Sequence, residues 1–261
     1  MEDFVHDYRN SFNQPEMKSR EELIIANWEN LTSLWKTAAT PFRGNVAGDV
    51  FDYEEIGNSD WPNRLWFHDD ITQENVEKAL ERLESLNTRF TIPYRDIYGS
   101  QSNQILEETG FTKTFEQVAM SLPLTSPFQL ENKLDFSVIS NPTDAKRWAD
   151  IYPSAFGYRI TEETLLKTMG SIQYILALKQ NQPVGTAILF QTGPFAGIHG
   201  VGVIPEMRRK GLAEEIMKFV LNKAIHDGAE YATLQASTMG KGLYLKLGFD
   251  EQFTIHNYVK A

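Results

Sequence analysis

The chain has 261 residues, of which 41% are hydrophobic and 23% are charged, a balance typical of a globular protein. It contains no cysteine, which excludes disulfides, thiolate nucleophiles and zinc sites built on cysteine. The net charge of −10 comes from the first half, where residues 1–130 carry 11 Lys and Arg against 22 Asp and Glu; residues 131–261 carry 14 against 13.

This distribution of charge and apolar residues limits the partners of the protein. An acidic first half repels polyanions, so we expect no nucleic-acid partner. No apolar run is long enough to cross a bilayer and the polar N-terminus does not resemble a signal peptide, so we expect a cytoplasmic protein without a membrane partner. No group of His, Asp and Glu has the spacing of metal ligands, so we expect no metal.

The first half alternates between helical and strand patterns, after a polar segment over residues 1–20 that we expect to fray or to cap the first domain. Helical spacing of apolar residues, caps and breakers predict helices over 21–35, 69–86 and 103–109. Strand patterns bounded by turn residues cover 50–56, 64–68, 90–94 and 118–122. A segment rich in proline and serine, 123–127, is the predicted linker.

The second half has a clearer succession of elements. Strands are predicted over 136–139, 174–179, 184–190, 195–204, 231–236 and 253–259, and helices over 141–156, 161–170, 210–227 and 241–247. The order β-α-α-β-β-β-α-β-α-β predicts an α+β fold around a mostly antiparallel sheet with one helical crossover.

The stretch 201–213 joins an apolar strand to that crossover helix through a basic turn containing Gly211. The start of a helix presents unpaired N–H groups and the positive end of its dipole. Three consecutive cations, 208–210, stand at this point, so the stretch predicts a cradle for a phosphate or pyrophosphate. The alternative is a solvated basic helix start.

Two motifs in the second half give it a specific resemblance. Arg208-Arg209-Lys210-Gly211-Leu212-Ala213 is similar to the pyrophosphate motif Gln/Arg-x-x-Gly-x-Gly/Ala of the GNAT superfamily of N-acyltransferases. Leu243-Tyr244-Leu245-Lys246-Leu247-Gly248-Phe249 is similar to that family's closing motif, Leu-Tyr-x-x-x-Gly-Phe. Both occur in the right order within the succession of elements, and the resemblance covers about residues 134–261.

The first half shares a shorter pattern with the second, at an offset of 138 residues. Glu107-Glu108-Thr109-Gly110-Phe111-Thr112-Lys113-Thr114-Phe115 is similar to Leu245-Lys246-Leu247-Gly248-Phe249-Asp250-Glu251-Gln252-Phe253. The comparison predicts two GNAT-like α/β units, each a mixed, mostly antiparallel sheet flanked by helices, with domains over 1–125 and 131–261. The first unit would be degenerate, because Asp69 and Asp70 replace the basic turn and would repel a pyrophosphate. The alternative is an unrelated α/β domain.

The resemblance implies acyl transfer from acetyl-CoA, bound as co-substrate, to a primary amine of a small molecule or peptide by direct attack on the thioester. A homodimer is compatible with it. It also implies which positions bind acetyl-CoA: the cradle, the end of the preceding strand and a position near the closing motif. These are Val201, Gly202, Val203, Arg208, Arg209, Lys210, Gly211, Leu212, Ala213 and Ser237. Val203 would donate its N–H to the oxyanion, and Ser237 replaces the family's frequent asparagine, which puts that contact in doubt.

Two residues are candidates for proton transfer. Tyr244 matches the family's general acid toward the CoA thiolate; the alternative is a core tyrosine. His199 has the same strand parity as Val201 and Val203, so its side chain is expected on their face, where it would help to deprotonate the amine. The alternative is a hydrogen-bonded core histidine.

The acceptor itself is not encoded in a recognisable motif. The resemblance places the acceptor site near the loop between the first two helices of the unit, where Phe156 and Tyr158 would line a pocket. Simple packing of the helix pair is the alternative for these two residues. A non-catalytic acyl-CoA-binding protein is the competing function, and a structural pseudo-enzyme that binds no CoA is a third.

Overall fold

The computed structural model describes residues 17–84, 86 and 88–260, so most of the expected polar N-terminal segment lies outside the described residues. Its helices are α1 (Arg20–Ala39), α2 (Gln73–Glu84), α3 (Asn103–Glu108), α4 (Pro142–Phe156), α5 (Glu162–Thr168), α6 (Leu212–His226) and α7 (Lys241–Lys246). Its strands are β1 (Asn45–Ala47), β2 (Phe51–Glu54), β3 (Arg64–Phe67), β4 (Thr91–Asp96), β5 (Phe111–Pro123), β6 (Asp135–Val138), β7 (Gln173–Lys179), β8 (Gln182–Thr192), β9 (Phe195–Val203), β10 (Tyr231–Ser237) and β11 (Asp250–Lys260).

The predicted α+β fold class and the order of elements in the second half are confirmed. Most strand pairs are antiparallel, and the parallel pairs are those joined by helical crossovers, β9-α6-β10 and β3-α2-β4. The sequence missed β1, a three-residue edge strand, and placed β5 over only five of its 13 residues. The first part of β5, residues 111–117, was not predicted. It lacks a clear alternation of apolar residues, and Lys113, Thr114 and Glu116 are exposed there.

The two halves of the chain exchange their last strands within one eleven-stranded sheet. The spatial order is β1-β2-β3-β4-β11-β5-β10-β9-β8-β7-β6. Strand β5, from the first half, therefore lies between β10 and β11, while β11, from the second half, lies between β4 and β5. The domain limits 1–125 and 131–261 remain a prediction. Hydrogen bonds between β5 and β10 and between β11 and β4 join these two segments within one sheet.

The 138-residue offset also appears in the geometry of the exchanged elements. Helices α3 and α7 begin and end at positions that differ by 138. In the antiparallel pair of β5 with β11, Gln117 faces Ile255, two residues that are themselves 138 apart and lie near the middle of both strands. The two halves are therefore arranged about a local twofold relation centred on this pair.

The sheet carries separate apolar layers on its two faces. Helix α6, with α7, covers one face through a core that includes Met120, Ile198 and Val220. Helices α1, α4 and α5 cover the other face of the same strands, where Trp28, Trp148 and Tyr174 are buried. A third core lies under α2 and α3 and combines Leu65 and Ile92 of the first half with Tyr258 of β11.

Helix α1 begins with a capping box, in which Ser19 accepts from Glu22 N and Glu22 reaches back to Ser19 N. From there it packs across β5, β8, β9 and β11. A helix of the first half thus covers strands that carry the predicted site of the second half, and it brings two buried polar residues, Asn27 and Asn30, to that face.

Candidate active site

The start of α6 is an uncapped helix N-terminus inside a basic turn. Gly211 occupies the N-cap position with φ of 75° and provides no side chain to accept from the first-turn N–H groups. Arg209 is also left-handed, with φ of 60°. Within the described residues, no hydrogen bond is made by the N–H groups of Arg209, Lys210 and Gly211. The turn therefore presents a row of free donors at the positive end of the helix dipole.

The three cations of the turn have different environments. Arg208 donates from Nε to Val203 O at 3.1 Å and from Nη2 to Ala155 O at 3.3 Å, which ties the turn to the end of β9 and to α4. Lys210 donates to Glu206 O at 3.1 Å. Arg209 and Lys210 are exposed, so their charges face the solvent in front of the free N–H groups.

Two carboxylates in the first turn of α6, Glu214 and Glu215, are engaged by neighbouring groups. Buried Glu215 accepts from the N–H groups of Glu131 and Lys133, at 3.0 and 3.1 Å, and so fixes the segment before β6 beside the turn. The Nζ of Lys133 lies 3.3 Å from where a Cβ on Gly211 would stand. No sequence pattern predicts this fourth cation, because Lys133 reaches the turn through a tertiary contact.

Glu214, the other carboxylate, is paired with Lys218 at 3.0 Å and with Lys246 of α7 at 2.6 Å. These pairs lower the pKa of Glu214. The contact with Lys246 also joins α6 to α7, the two helices that flank the end of β10.

Strands β9 and β10 diverge, and this splay opens beside the basic turn. They pair through only three residue pairs, the last of which is Gly197 with Thr233. Beyond that pair β9 continues along β8, and β10 continues along β5. Ile204 donates to Val184 O at 3.0 Å, so the N–H of Val203 points the opposite way, toward the splay.

A β-bulge in β9 corrects the expected orientation of His199. The register with β8 shifts between Thr186 and Ile188, and Gly200 adopts φ of 54°. Because the bulge inserts one residue, Val201 and Val203 pack on the α6 face, whereas His199 contacts α1 on the opposite face. His199 therefore lies on the face opposite to the predicted one, and the prediction was wrong because it assumed an unbroken strand.

Tyr244 lies on the α6 face of the sheet. It packs against the same core as Val201 and Ala213, with its ring 6.0 Å from that of Phe249. Burial raises the pKa of Tyr244 to about 12. Its hydroxyl lies 3.6 Å from where a Cβ on Gly240 would stand, and no hydrogen bond to it is found in the described part of the chain. Gly240 therefore leaves space beside this hydroxyl.

Ser237 ends β10 and is exposed. Its hydroxyl accepts from Gly240 N at 3.2 Å, so it holds the turn before α7. The structure thus brings Ser237 to the same turn as Tyr244 and gives it a local structural contact.

His199 is enclosed between two carboxamides. Its Nδ1 lies 3.1 Å from Gln235 Oε1 and its Nε2 lies 3.3 Å from Asn30 Oδ1. Burial lowers the pKa of His199 to about 4, while the contact with Gln235 acts in the opposite direction. A Cβ on Gly197 would stand 1.8 Å from Asn30 Oδ1, so this close approach requires glycine there.

Further hydrogen bonds fix which atom each carboxamide turns toward the histidine. Asn30 donates to Phe190 O at 3.0 Å and to Thr192 Oγ1 at 2.9 Å, which leaves its oxygen for the ring. Gln235 donates to Asn27 Oδ1 at 2.7 Å with the same result. A neutral ring can donate to only one of the two oxygens, whereas an imidazolium can donate to both.

The residues of this network were missed by the sequence analysis, although a signal existed. Asn27 and Asn30 fall on the apolar face of the predicted first helix, where a buried amide needs a polar partner. The identity of that partner depends on how the first half packs on the second, which helical spacing does not determine.

Phe156 and Tyr158 lie on the same face as His199. The Phe156 ring covers Gly202, where a Cβ would stand 2.5 Å from it, and it stacks on Tyr152 with centroids 4.4 Å apart. The hydroxyls of Tyr158 and Tyr152 are 2.7 Å apart. Both predicted residues are half-buried and pack the end of α4 onto β9, so packing is what the structure shows for them.

The first half reaches the loop that carries Tyr158. Asp60 donates its N–H to Arg159 O at 3.1 Å, and its carboxylate accepts from Arg159 N at 2.7 Å. Asn58 donates to Glu163 at 2.7 Å. The loop between β2 and β3 therefore covers the loop between α4 and α5.

A cavity of about 380 Å³ lies away from this site. It is at the end of β10 opposite Ser237, and residues from α1, β5 and β11 line it. No group of three or more metal-ligating side chains occurs within residues 17–84, 86 and 88–260. Over the same residues, no helix has the length and apolar character required to cross a membrane.

Comparisons with known proteins agree with this geometry. Residues 142–249 match the sequence model of the acetyltransferase (GNAT) family. No curated protein matches the sequence significantly. Among solved structures, a GCN5-related N-acetyltransferase from Kribbella flavida superposes with a TM-score of 0.64 and 16% identity, over 86% of this chain and 94% of that chain.

Two further structures show the same fold. A GCN5-related N-acetyltransferase from Sphaerobacter thermophilus matches with a TM-score of 0.59 and 17% identity, over 81% of this chain and 76% of that one. A tandem GNAT protein from the clavulanic acid biosynthesis pathway matches with a TM-score of 0.55 and 10% identity, over 89% and 95%. The fold of these solved structures thus extends over both halves of the chain, and residues 142–249 are similar in sequence to the GNAT acetyltransferase family.

Proposed function

We propose that this protein transfers an acetyl group from acetyl-CoA to a primary amine of a small molecule or peptide, by direct attack of the amine on the thioester. One observation carries the proposal. The uncapped basic turn of α6, the splay between β9 and β10, and Tyr244 on the α6 face of the sheet are neighbouring features.

The turn provides what a diphosphate requires. The free N–H groups of residues 209–213 would bind its oxygens, supported by the charges of Arg209 and Lys210. Arg208 would act indirectly, since its guanidinium is engaged by Val203 O and Ala155 O and so holds the turn against β9. A side chain at Gly211 would crowd Lys133 and strain the left-handed backbone.

The splay provides a path for the extended pantetheine arm. Unpaired backbone groups of β9 would hydrogen-bond to it, in the manner of an added strand. The N–H of Val203 would then stabilise the negative charge that develops on the thioester oxygen. Gly202 and Val201 flank this donor, with Gly202 closed on one face by Phe156.

The reaction moves protons on both sides of the sheet. The amine nitrogen forms a bond to the carbonyl carbon, the C–S bond breaks, and the amine loses one proton. Tyr244 would donate its phenolic hydrogen to the departing sulfur from the α6 face. Because burial raises the pKa of Tyr244 to about 12, above the ordinary value of a thiol near 8.5, it stabilises the thiolate chiefly through a hydrogen bond.

His199 would assist loss of the amine proton from the opposite face. Its low pKa keeps the ring neutral at pH 7. With Nδ1–H donating to Gln235, Nε2 is the basic nitrogen, and a water that reaches it can carry the proton from the amine. Once protonated, Nε2 becomes a donor toward Asn30 Oδ1, so the imidazolium is stabilised in place.

A thiol-release assay with acetyl-CoA and a panel of amines tests this function. We expect CoA release that depends on an amine and an acetylated product detected by mass spectrometry. Binding of acetyl-CoA without release for any amine would instead support an acyl-CoA-binding protein. Absence of acetyl-CoA binding would contradict both.

A further inference from the structure

Arg64 of the first half reaches the acceptor side of the site. It lies at the start of β3, half-buried, with its guanidinium 5.9 Å from the ring centre of Trp35. Its charge lowers the pKa of Tyr152 and of Tyr158, although burial raises both overall. Asp60, in the loop before β3, hydrogen-bonds to Arg159 next to Tyr158, so the start of β3 lies beside this tyrosine pair.

This tyrosine pair connects Arg64 to the splay. The ring of Tyr152 lies 3.2 Å from where a Cβ on Gly200 would stand, and Gly200 forms the bulge of β9. Tyr158 shares a hydrogen bond with Tyr152 at 2.7 Å. Arg64 is thus on the face from which an amine would approach, one layer of side chains away from the bulge.

The hydrogen bonds of Arg64 leave one edge of the guanidinium unused. Nη1 donates to Pro62 O at 2.6 Å and to Asn63 O at 3.2 Å. Nε and Nη2 make no hydrogen bond in the described part of the chain. The bonded Nη1 fixes the plane of the group, while the parallel N–H groups of Nε and Nη2 form the edge that binds a carboxylate in bidentate fashion.

No acidic side chain among the described residues pairs with this cation. Glu54 stands opposite Arg64 in the β2–β3 pair, but burial raises the pKa of Glu54 to about 8, which favours its uncharged form at pH 7. Burial lowers the pKa of Arg64, which records the cost of removing its charge from water. A charge in such a position is normally matched by an opposite charge.

We propose that Arg64 binds a carboxylate of the acceptor, so that the acceptor is a small amine that also carries a carboxylate, as an amino acid does. This inference rests on the proposed acetyl transfer. It assigns to the first half a direct part in substrate recognition, because Arg64 precedes the linker and reaches the site of the second half.

The test compares an amino acid with its carboxamide, and each rate is divided by the fraction of unprotonated amine, because loss of the carboxylate lowers the pKa of the amine. For the wild-type protein we expect kcat/KM to be higher with the acid. Arg64→Gln should lower kcat/KM for the acid by roughly 100-fold and leave the carboxamide nearly unchanged, because a half-buried charge pair is lost. Arg64→Lys, which keeps the charge but not the planar edge, should lose about 10-fold.

Arg89→Gln is the matched control, since Arg89 is an exposed arginine of the same half. It should leave both acceptors unchanged. Equal use of acid and carboxamide by the wild-type protein, or equal losses for both in Arg64→Gln, would overturn the inference while leaving acetyl transfer intact. Absence of transfer to every amine would instead overturn the proposed function.

A binding measurement covers the case in which Arg64→Gln does not fold. Calorimetric titration of the wild-type protein with an N-acetyl amino acid and with its carboxamide needs no variant and no turnover. We expect at least 10-fold tighter binding of the acid, decreasing as salt is added. Equal affinities would contradict a carboxylate site at Arg64.

Discussion

Helices α2 and α6 occupy corresponding places in the two halves, but their first turns are completed differently. Before α2, the Thr72 hydroxyl accepts from Asn75 N at 3.2 Å and the Asp70 carboxylate accepts from Ile71 N at 2.9 Å. Before α6, Gly211 provides no acceptor. The first half therefore fills its own anion position with protein oxygens, whereas the second half leaves it open.

The two strand splays differ in the same way. Strands β3 and β4 pair through a single residue pair, but Arg95 fills the space between them: it lies 4.6 Å from the ring centre of Trp28 and donates to His68 O at 2.9 Å and to Tyr98 at 2.7 Å. The cavity left there is about 10 Å³, about the least that holds one water. The two halves have similar folds, but the site of the first half is closed by the cap at Thr72 and by the side chain of Arg95.

The largest effect on acetyl-CoA binding is expected at the first turn of α6, where the two halves differ most. Gly211→Val should weaken acetyl-CoA binding by roughly 100-fold, because a β-branched residue is strained at positive φ by about 1–3 kcal/mol and crowds Lys133. The corresponding change in the first half, Thr72→Val, should cost about 1 kcal/mol of stability through loss of the cap and leave binding unchanged. Calorimetry and thermal unfolding measure the two effects, and similar binding losses would refute the contrast.

A smaller effect is expected at the residue that distinguishes the closing motifs. Leu106 in the first half corresponds to Tyr244 in the second. Tyr244→Phe should lower kcat by about 10- to 100-fold and leave the affinity for CoA unchanged, because only the hydroxyl is removed. Unchanged kcat in steady-state assays would remove Tyr244 from the chemistry.

The contact of α1 with His199 predicts a change in pH dependence. Asn30→Asp places a carboxylate near Nε2, which should raise the pKa of His199 from about 4 by about 1–3 units. The ring then charges at higher pH, so kcat/KM should decline below about pH 6 in the variant but not in the wild-type protein. Glu29→Gln, at an exposed position of the same helix, is the control, and NMR titration of the ring checks the shift directly. Identical profiles would exclude the proposed coupling.

The smallest effect concerns stability in the first half. Burial raises the pKa of Glu54 to about 8, and one of its carboxylate oxygens has no partner within the described residues. Since the folded pKa exceeds the unfolded value near 4.5, stability from Glu54 is present below pH 4.5 and is lost as pH rises toward 8. Glu54→Gln should therefore stabilise the protein by about 1 kcal/mol or more at pH 8 and by less at pH 5. Urea unfolding at pH 5 and at pH 8 measures the free energy of unfolding of both proteins. A stabilisation by Glu54→Gln that does not increase with pH would contradict this prediction.

Local patterns were enough to predict much of this molecule. The order of elements in the second half, the α6 turn and the 138-residue offset depend on spacing, caps and breakers, which a sequence displays directly. The exchange of β5 and β11 depends on pairing between residues far apart in the chain, and alternation within a strand does not choose its neighbour.

The remaining errors also have physical causes. One bulge at Gly200 inverted the expected side of His199, because a parity argument fails when one residue is inserted. The contact of Asn30 with His199, and the position of Arg64 near Tyr152 and Tyr158, arise from packing between the two halves. An amide or a guanidinium that is buried requires polar partners, which the residue type alone predicts. Only the tertiary structure shows which groups lie near them.

We infer that the two similar halves contain one acetyl-CoA site. Calorimetric titration of the full chain with acetyl-CoA, repeated with Gly211→Val, tests it most directly. We predict one site per chain, lost or strongly weakened in the variant. No binding, or two sites per chain, would contradict the account.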